Sequence, residues 1–174
     1  MKDIMAQNLP DVGKKNNFLS NWSEEIVLGL ISSYVEDAGG VLTALQKVQE
    51  EFGCISEESK IVVAKSFNLT RAEVHGIVSF YHDFSETKRG DFVVKICQAE
   101  ACQAMGSREL TSYAKVKLAL EFHQVSSDGL FSLEPVYCLG NCARAPAVMI
   151  NNVGVGDVDS IKLTELFAVC KALK

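Results

Sequence analysis

The chain has 174 residues and a formal net charge of −5, with 48% hydrophobic and 22% charged residues. This balance is typical of a folded globular protein and excludes an intrinsically disordered chain. The acidic surplus argues against nucleic acid as a partner, and no apolar run reaches the roughly 20 residues of a membrane-spanning helix. We therefore expect no nucleic-acid partner and no direct membrane insertion, and we predict a cytoplasmic protein without a signal peptide.

The first half of the chain predicts a tail followed by four short helices. Residues 1–20 lack periodicity, so we predict a disordered tail there. Residues 21–88 repeat apolar side chains at helical spacing. Gly53 stands where the second helix would end, and Thr70 with Glu73 forms a capping box for the fourth. We therefore predict a helical bundle over residues 21–88.

The second half of the chain changes character after residue 88. Its predicted elements are, in order, the strand Phe92–Cys97, the helix Ser107–Glu121, the strand Leu133–Tyr137, a hairpin of Ala147–Ile150 with Val153–Val158, and the helix Ile161–Leu173. This order predicts a small sandwich of one sheet covered by helices over residues 89–174. The expected fold class is therefore α/β, preceded by the helical bundle.

Four of the six cysteines form two closely spaced pairs. Four residues separate Cys97 from Cys102, and three separate Cys138 from Cys142. Each pair follows a predicted strand, and adjacent strand ends of one sheet would bring the four sulfurs around one metal site. Disulfides are not expected in a cytosolic chain, because the cytosol keeps thiols reduced. Spacing alone fits either a 2Fe-2S cluster or structural zinc.

Three stretches of the sequence resemble one protein family. They are Cys97-Gln-Ala-Glu-Ala-Cys102, Cys138-Leu-Gly-Asn-Cys142-Ala-Arg-Ala-Pro146 and Val74-His-Gly-Ile-Val-Ser-Phe80-Tyr81. They look like the thioredoxin-like 2Fe-2S ferredoxins, which include the 24 kDa subunit of NADH-quinone oxidoreductase. The resemblance implies that Cys97, Cys102, Cys138 and Cys142 bind one 2Fe-2S cluster, and that residues 89–174 form a thioredoxin-like domain.

Within that family, one stretch narrows the resemblance further. His75-Gly-Ile-Val-Ser-Phe-Tyr-His82-Asp-Phe looks most like the gamma subunit of NAD-dependent formate dehydrogenases. This resemblance implies a subunit that docks on an FMN- and NADH-binding flavoprotein within a larger dehydrogenase complex, with FMN and NAD bound by that partner. The chain has no dinucleotide or phosphate-binding motif and no nucleophile with a matching base, so we expect no catalytic residue in it.

The predicted function is therefore electron transfer through one 2Fe-2S cluster in an NAD-dependent formate dehydrogenase complex. Two alternatives of the same class are the equivalent subunits of NADH-quinone oxidoreductase and of an NAD-linked hydrogenase. An alternative of another class is a zinc-stapled interaction module with no redox function.

Two further cysteines and two histidines invite comparison with the candidate ligands. Cys54 and Cys170 are expected to be buried or half-buried structural thiols. The seven-residue separation of His75 and His82 predicts that both lie on one helix face. Because four cysteines already complete the site, we expect neither histidine to bind the cluster.

The residues that follow Cys142 carry two smaller expectations. Arg144 is expected either to be a solvated loop residue or to offset negative charge near the metal site. The resemblance to thioredoxin-like proteins favours a cis peptide bond between Ala145 and Pro146.

Overall fold

The computed structural model describes Val12, Lys15, Asn16, Phe18, Leu19 and Asn21–Leu173. Within the predicted tail over residues 1–20, the structure describes the five residues at positions 12, 15, 16, 18 and 19. The rest of that tail lies outside the described residues. The chain divides into two compact units. We call residues 17–89 the helical unit, and residues 90–173, with the described residues before position 17, the sheet unit.

The helical unit contains four α-helices and one short 3₁₀ turn. They are α1 (Glu24–Ile31), the 3₁₀ turn Ser32–Tyr34, α2 (Gly40–Phe52), α3 (Glu57–Ser66) and α4 (Arg71–Phe80). The helix α2 lies between Gly39 and Gly53, both with φ of 78°, a conformation that glycine adopts without strain. At the start of α4, the Thr70 hydroxyl accepts from the Glu73 N–H, and the Glu73 carboxylate accepts from the Thr70 N–H. The predicted helix end and capping box are confirmed.

The end of α4 corrects the prediction for the two histidines. The helix ends at Phe80, and Tyr81 is extended, with φ of −89° and ψ of 103°. The Tyr81 ring packs edge-on against Phe80, with centroids 5.1 Å apart, and against Phe84, with centroids 6.0 Å apart. Since the chain turns away from the helix to make these contacts, the prediction that His75 and His82 share one helix face is wrong.

The sheet unit has five strands and three helices. They are β1 (Phe92–Cys97), α5 (Glu100–Ala104), α6 (Ser107–Leu118), β2 (Gln124–Val125), β3 (Phe131–Val136), β4 (Val148–Ile150), β5 (Val153–Val155) and α7 (Ser160–Ala172). The strand order is β2-β3-β1-β4-β5. Strands β1 and β3 are parallel, and the other neighbours are antiparallel. The α/β class and the strand Phe92–Cys97 are confirmed.

Several local details of the sheet unit differ from the prediction. Strand β3 begins at Phe131 rather than Leu133, and β5 ends at Val155 rather than Val158. Helix α6 ends at Leu118 rather than Glu121, because Ala119 takes a left-handed conformation with φ of 53° that turns the chain out of the helix. The short elements α5 and β2 were not predicted, since five and two residues are too few to display a period.

Each unit has its own hydrophobic core. Side chains from one face of the sheet, together with α6 and α7, form the core of the sheet unit, which also includes Val12, Val158 and Cys170. The core of the helical unit is formed by Val27, Ile31, Leu45, Val48, Phe52, Ile55, Val62, Val63, Val74 and Val78 among others. Within the described part of the chain, no helix combines the length and the apolar character needed to cross a membrane.

Candidate metal centre

The candidate cysteines lie at one edge of the sheet. Cys97 is the last residue of β1, and its register partner in β3 is Val136. Cys138 follows two residues later. Because β1 and β3 are parallel neighbours, both strands end at the same edge, and the chain continues from each end into a cysteine-containing segment. The expectation that the two strand ends are adjacent is confirmed.

Cys97 and Cys102 form a buried pair, with 1% and 2% of their surface exposed. The Cys97 N–H donates to the Ala147 carbonyl at 3.1 Å, and the Cys97 carbonyl accepts from the buried Ser107 hydroxyl. Burial raises the pKa of the Cys102 thiol, a hydrogen bond with Cys97 raises it further, and a backbone hydrogen bond from Ala147 opposes the shift. Regular structure therefore holds this pair, one residue on a strand and the other on α5.

Cys138 and Cys142 form an exposed pair, with their Sγ atoms 3.9 Å apart. The Gly140 N–H donates to Cys138 Sγ at 3.3 Å. Cys138 has φ of 111°, which costs a residue with a side chain on the order of 1–3 kcal/mol. A hydrogen bond with Cys138 raises the pKa of the Cys142 thiol. The surrounding loop therefore holds Cys138 in a conformation that an unconstrained chain avoids.

The four sulfurs are arranged as two pairs. Hydrogen bonds link Cys97 with Cys102 and Cys138 with Cys142, and Cys142 interacts electrostatically with Cys97 across the pairs. Tetrahedral zinc with Zn–S bonds of about 2.3 Å would need all four sulfurs roughly 3.8 Å from one another. A 2Fe-2S cluster instead takes two ligands on each iron. The 3.9 Å contact within the exposed pair and the hydrogen bond within the buried pair suit a centre that takes its ligands two by two.

Three other side chains of the described chain form a close group of ligand atoms. The Glu57, His75 and Glu86 ligand atoms all lie within 4.8 Å of one another. The Lys60 ammonium already supplies a cation there, since it pairs with Glu57 at 2.7 Å and also with Glu86, and it lies 3.5 Å from His75 Nδ1. Burial lowers the pKa of Lys60, but the two carboxylates outweigh burial and raise it. Sequence reasoning missed this buried lysine, because a lysine at helical spacing is normally solvated.

The other candidate residues are two cysteines outside the two pairs, one exposed arginine and one proline. Cys54 is half-buried and Cys170 is fully buried, and burial raises the pKa of Cys170 to about 11, so the expectation of buried or half-buried structural thiols is confirmed. Arg144 is exposed, and its Nε atom donates to Asp157 at 2.7 Å. The Ala145–Pro146 bond is cis, the state that the resemblance offered as a hypothesis.

Sequence reasoning also missed the polar residues that support the buried pair, one inside the first cysteine motif and the others after it. The Gln98 side chain donates to Thr111 Oγ1 at 2.8 Å, and the backbone carbonyl of Gln98 accepts from the Gln103 side chain at 2.7 Å. Ser107, at the start of α6, is completely buried. A polar residue directly after a ligand and a serine at a helix start were the available signals, and neither is specific.

Comparison with known proteins shows the family to which the chain belongs. Residues 27–171 match the family described as thioredoxin-like [2Fe-2S] ferredoxin. The chain is 31% identical over 142 residues to the HndA subunit of the NADP-reducing hydrogenase of Solidesulfovibrio fructosivorans, covering 82% of this chain and 83% of that subunit. It is 28% identical over 138 residues to an NADH-quinone oxidoreductase subunit of Aquifex aeolicus, covering 79% of this chain and 86% of that protein.

The fold also recurs in a solved structure. A chain of an NAD⁺-reducing [NiFe]-hydrogenase in the air-oxidized state superposes with a TM-score of 0.68 at 21% identity. The match covers 76% of this chain but only 23% of the hydrogenase chain. This likeness concerns the fold, and with the family match it confirms the predicted thioredoxin-like domain preceded by helices.

Proposed function

Because the chain belongs to the thioredoxin-like 2Fe-2S ferredoxin family, we propose that Cys97, Cys102, Cys138 and Cys142 hold its one 2Fe-2S cluster. The observation that carries this proposal is the pairing of the four sulfurs at adjacent ends of two parallel strands. Such a cluster, when bound, accepts and releases one electron at a time.

The residues around the sulfurs suit an electron-transfer role. The buried pair keeps water from one side of the site, whereas the exposed pair brings the other side to the surface. The Gly140 N–H points at a sulfur, and such donors stabilise the negative charge of thiolate ligands. The exposed Tyr137 and Met105 lie next in sequence to the exposed pair and to α5, and they supply apolar contact area for a redox partner.

The relatives support assignment to a larger NAD-linked complex. Their names describe subunits of hydrogenase and NADH-quinone oxidoreductase assemblies. We propose that this chain likewise relays electrons beside an FMN- and NADH-binding flavoprotein subunit, because a flavin exchanges electrons in pairs or singly and pairs well with a one-electron centre. We also propose a cytoplasmic or peripheral location within that complex.

For the parent enzyme we propose a formate dehydrogenase of the NAD-dependent type, on the resemblance of the stretch from His75 to Phe84. The hydrogenase alternative is favoured by the NADP-reducing hydrogenase subunit at 31% identity, and the NADH-quinone oxidoreductase alternative by the relative at 28% identity. The three assignments differ in the electron donor or acceptor of the whole complex, so an assay of the complex distinguishes them.

Metal analysis of the purified chain tests the cluster assignment. We expect red-brown protein with iron and acid-labile sulfide in equal amounts, a colour that bleaches with dithionite, and a paramagnetic signal only after reduction. Colourless protein that contains zinc and no sulfide would overturn the assignment in favour of the zinc-stapled module.

Purification from native cells tests the complex and its substrate. A tagged chain should bring down a flavin-containing subunit, and the preparation should reduce NAD⁺ with formate. Hydrogen-dependent NAD⁺ reduction, or NADH-dependent quinone reduction, would instead move the assignment to the corresponding alternative. A chain that comes down without any flavoprotein at low and high salt would contradict membership in such a complex.

A further inference from the structure

The exposed cysteine pair lies in a long segment without strand structure. This segment, which we call the cysteine loop, runs over residues 137–147 between β3 and β4. Its own regular structure is one 3₁₀ turn, Cys142–Arg144. Within the loop, the Arg144 N–H donates to the Asn141 carbonyl at 3.0 Å, and the Gly140 N–H donates to Cys138 Sγ at 3.3 Å. So few internal bonds leave most of the support of the exposed pair to neighbouring segments.

One neighbouring segment, Gly156–Val158, contacts the cysteine loop through its backbone. We call it the clasp. The Asp157 N–H donates to the Arg144 carbonyl at 2.6 Å, and the Val158 N–H donates to the Pro146 carbonyl at 3.0 Å. These two bonds attach the part of the loop that directly follows Cys142.

Gly156 lets the clasp approach the cysteine loop closely. A Cβ atom at Gly156 would lie 2.6 Å from Asn141 Nδ2, 2.6 Å from Arg144 Cβ and 2.8 Å from the Arg144 carbonyl oxygen. Real Cβ atoms essentially never make contacts this short, so a side chain at Gly156 would push on Asn141, directly before Cys142, and on Arg144, two positions after it.

The clasp is itself held by rigid parts of the sheet unit. Val158 is 1% exposed and packs in the main core. The Lys162 ammonium, on the first turns of α7, donates to the Gly156 carbonyl at 2.8 Å. Asp159, directly after the clasp, caps α7 by accepting from the Lys162 N–H at 2.8 Å. The clasp therefore transmits the fixed position of α7 and the core to a loop that has little structure of its own.

We propose that the clasp is a positioning element that fixes the spacing of Cys138 and Cys142, and thereby the stability and electronic environment of the exposed half of the cluster. This inference rests on the proposed function, since it assigns a role toward a cluster bound by the four cysteines. Gly156 acts through Asn141 and Arg144 rather than on the cluster itself.

The test compares Gly156→Ala with Gly154→Ala, a matched control. A Cβ at Gly154 meets nothing within 4 Å, and neither glycine has a φ that disfavours alanine. In the iron-loaded chain, we expect Gly156→Ala to lose iron to a chelator about tenfold faster than wild type, because the crowded loop must move. We also expect a changed electron paramagnetic resonance spectrum of the reduced protein. Gly154→Ala should match wild type in both measurements.

A second variant covers the case in which Gly156→Ala does not fold. Lys162→Met keeps the apolar stem and removes the ammonium that holds the Gly156 carbonyl. It should lose iron about two- to threefold faster than wild type. The exposed Lys171→Met, on the same helix, is its control and should leave the rate unchanged.

Alkylation of Cys170 distinguishes positioning from general destabilisation. Cys170 is fully buried in the core of the sheet unit, so its labelling by iodoacetamide reports opening of that core. We expect its rate to be equal in wild type and Gly156→Ala. Labelling that accelerates in step with iron loss, or variants that retain iron and spectrum like wild type, would overturn the positioning role. A wild-type chain without iron and sulfide would instead overturn the proposed function, and the clasp role with it.

Discussion

The two cysteine pairs serve one proposed site but differ in their structural support. Cys97 and Cys102 are buried and lie on a strand and a helix, whereas Cys138 and Cys142 are exposed and lie on a loop. The first pair packs with Ala145 and Ala147 in a small apolar cluster, and Cys97 belongs to the central strand β1. The second depends on tertiary contacts made by its loop. A metal site built this way has one anchored side and one side open to a partner.

The largest effect is expected when a cysteine of either pair is replaced. Cys97→Ser and Cys138→Ser should each lose or distort the proposed cluster, because a hydroxyl is a poor substitute for a thiolate ligand of iron. Iron and sulfide per chain, together with the visible colour, measure this loss in freshly purified protein.

The other two cysteines provide the controls for these variants. Cys54→Ser and Cys170→Ser should keep iron and colour, since neither residue belongs to the two pairs. Equal loss of iron in all four variants would contradict the ligand assignment. Retained iron in Cys138→Ser alone would reduce the site to the buried pair and one exposed ligand.

The second effect, on the free energy of unfolding, should differ between the two pairs. In iron-free protein, Cys102→Ser should lower the free energy of unfolding by about 1 kcal/mol, because a buried hydroxyl costs more to remove from water than a thiol even where Cys97 and Ala147 offer hydrogen bonds. Cys142→Ser should change it by less than about 0.5 kcal/mol, because the residue is exposed. Urea unfolding of the two variants measures both values. Equal losses would mean that the exposed loop is as tightly packed as the core.

The anchored half of the site is also the half that the sequence predicts better. The alternation of apolar residues predicts β1 from Phe92 to its end at Cys97, and the spacing of the cysteines predicts two groups at adjacent strand ends. These patterns are local, so a sequence displays them directly. The difference in burial between Cys97 and Cys138 is not local, because it depends on which neighbours pack over each loop.

A third and smaller effect concerns the backbone at Cys138. With φ of 111°, this position suits glycine, and any other residue is strained there. In iron-free protein, Cys138→Gly should therefore be more stable than Cys138→Ala by about 1 kcal/mol, the gain being reduced by the greater freedom of glycine in the unfolded chain. Thermal or urea unfolding of the pair measures the difference. If alanine were the more stable, the loop would relax without its ligand and the strain would not persist.

The support of the exposed pair could not be predicted from the sequence for a related reason. Arg144 and Asp157 are thirteen positions apart, and no motif or period links them. The close approach of Gly156 becomes visible only when its position against Asn141 and Arg144 is known. In the helical unit, the burial of Lys60 among carboxylates escaped prediction in the same way. Tertiary contacts between loops and turns leave almost no trace in a single sequence.

The smallest expected effect asks whether charge or backbone contact holds the exposed loop. Arg144 and Asp157 form an ion pair at 2.7 Å, but their side chains are 61% and 57% exposed, so water and salt screen the attraction. Asp157→Asn removes the charge and suits the backbone, because asparagine tolerates the φ of 52° at this position. We expect it to lower the free energy of unfolding by about 0.5 kcal/mol or less, measured by urea unfolding at low and high salt.

Asp157→Asn also tests whether the clasp acts through charge or through its backbone contacts. Asp157→Asn keeps the backbone bond from residue 157 to the Arg144 carbonyl, so its iron-loss rate should stay within about twofold of wild type. Gly156→Ala crowds the loop and leaves the charge in place, so it should lose iron clearly faster than Asp157→Asn. If Asp157→Asn released iron as fast as Gly156→Ala, and if salt removed the difference from wild type, the ion pair rather than close backbone packing would hold the exposed cysteines.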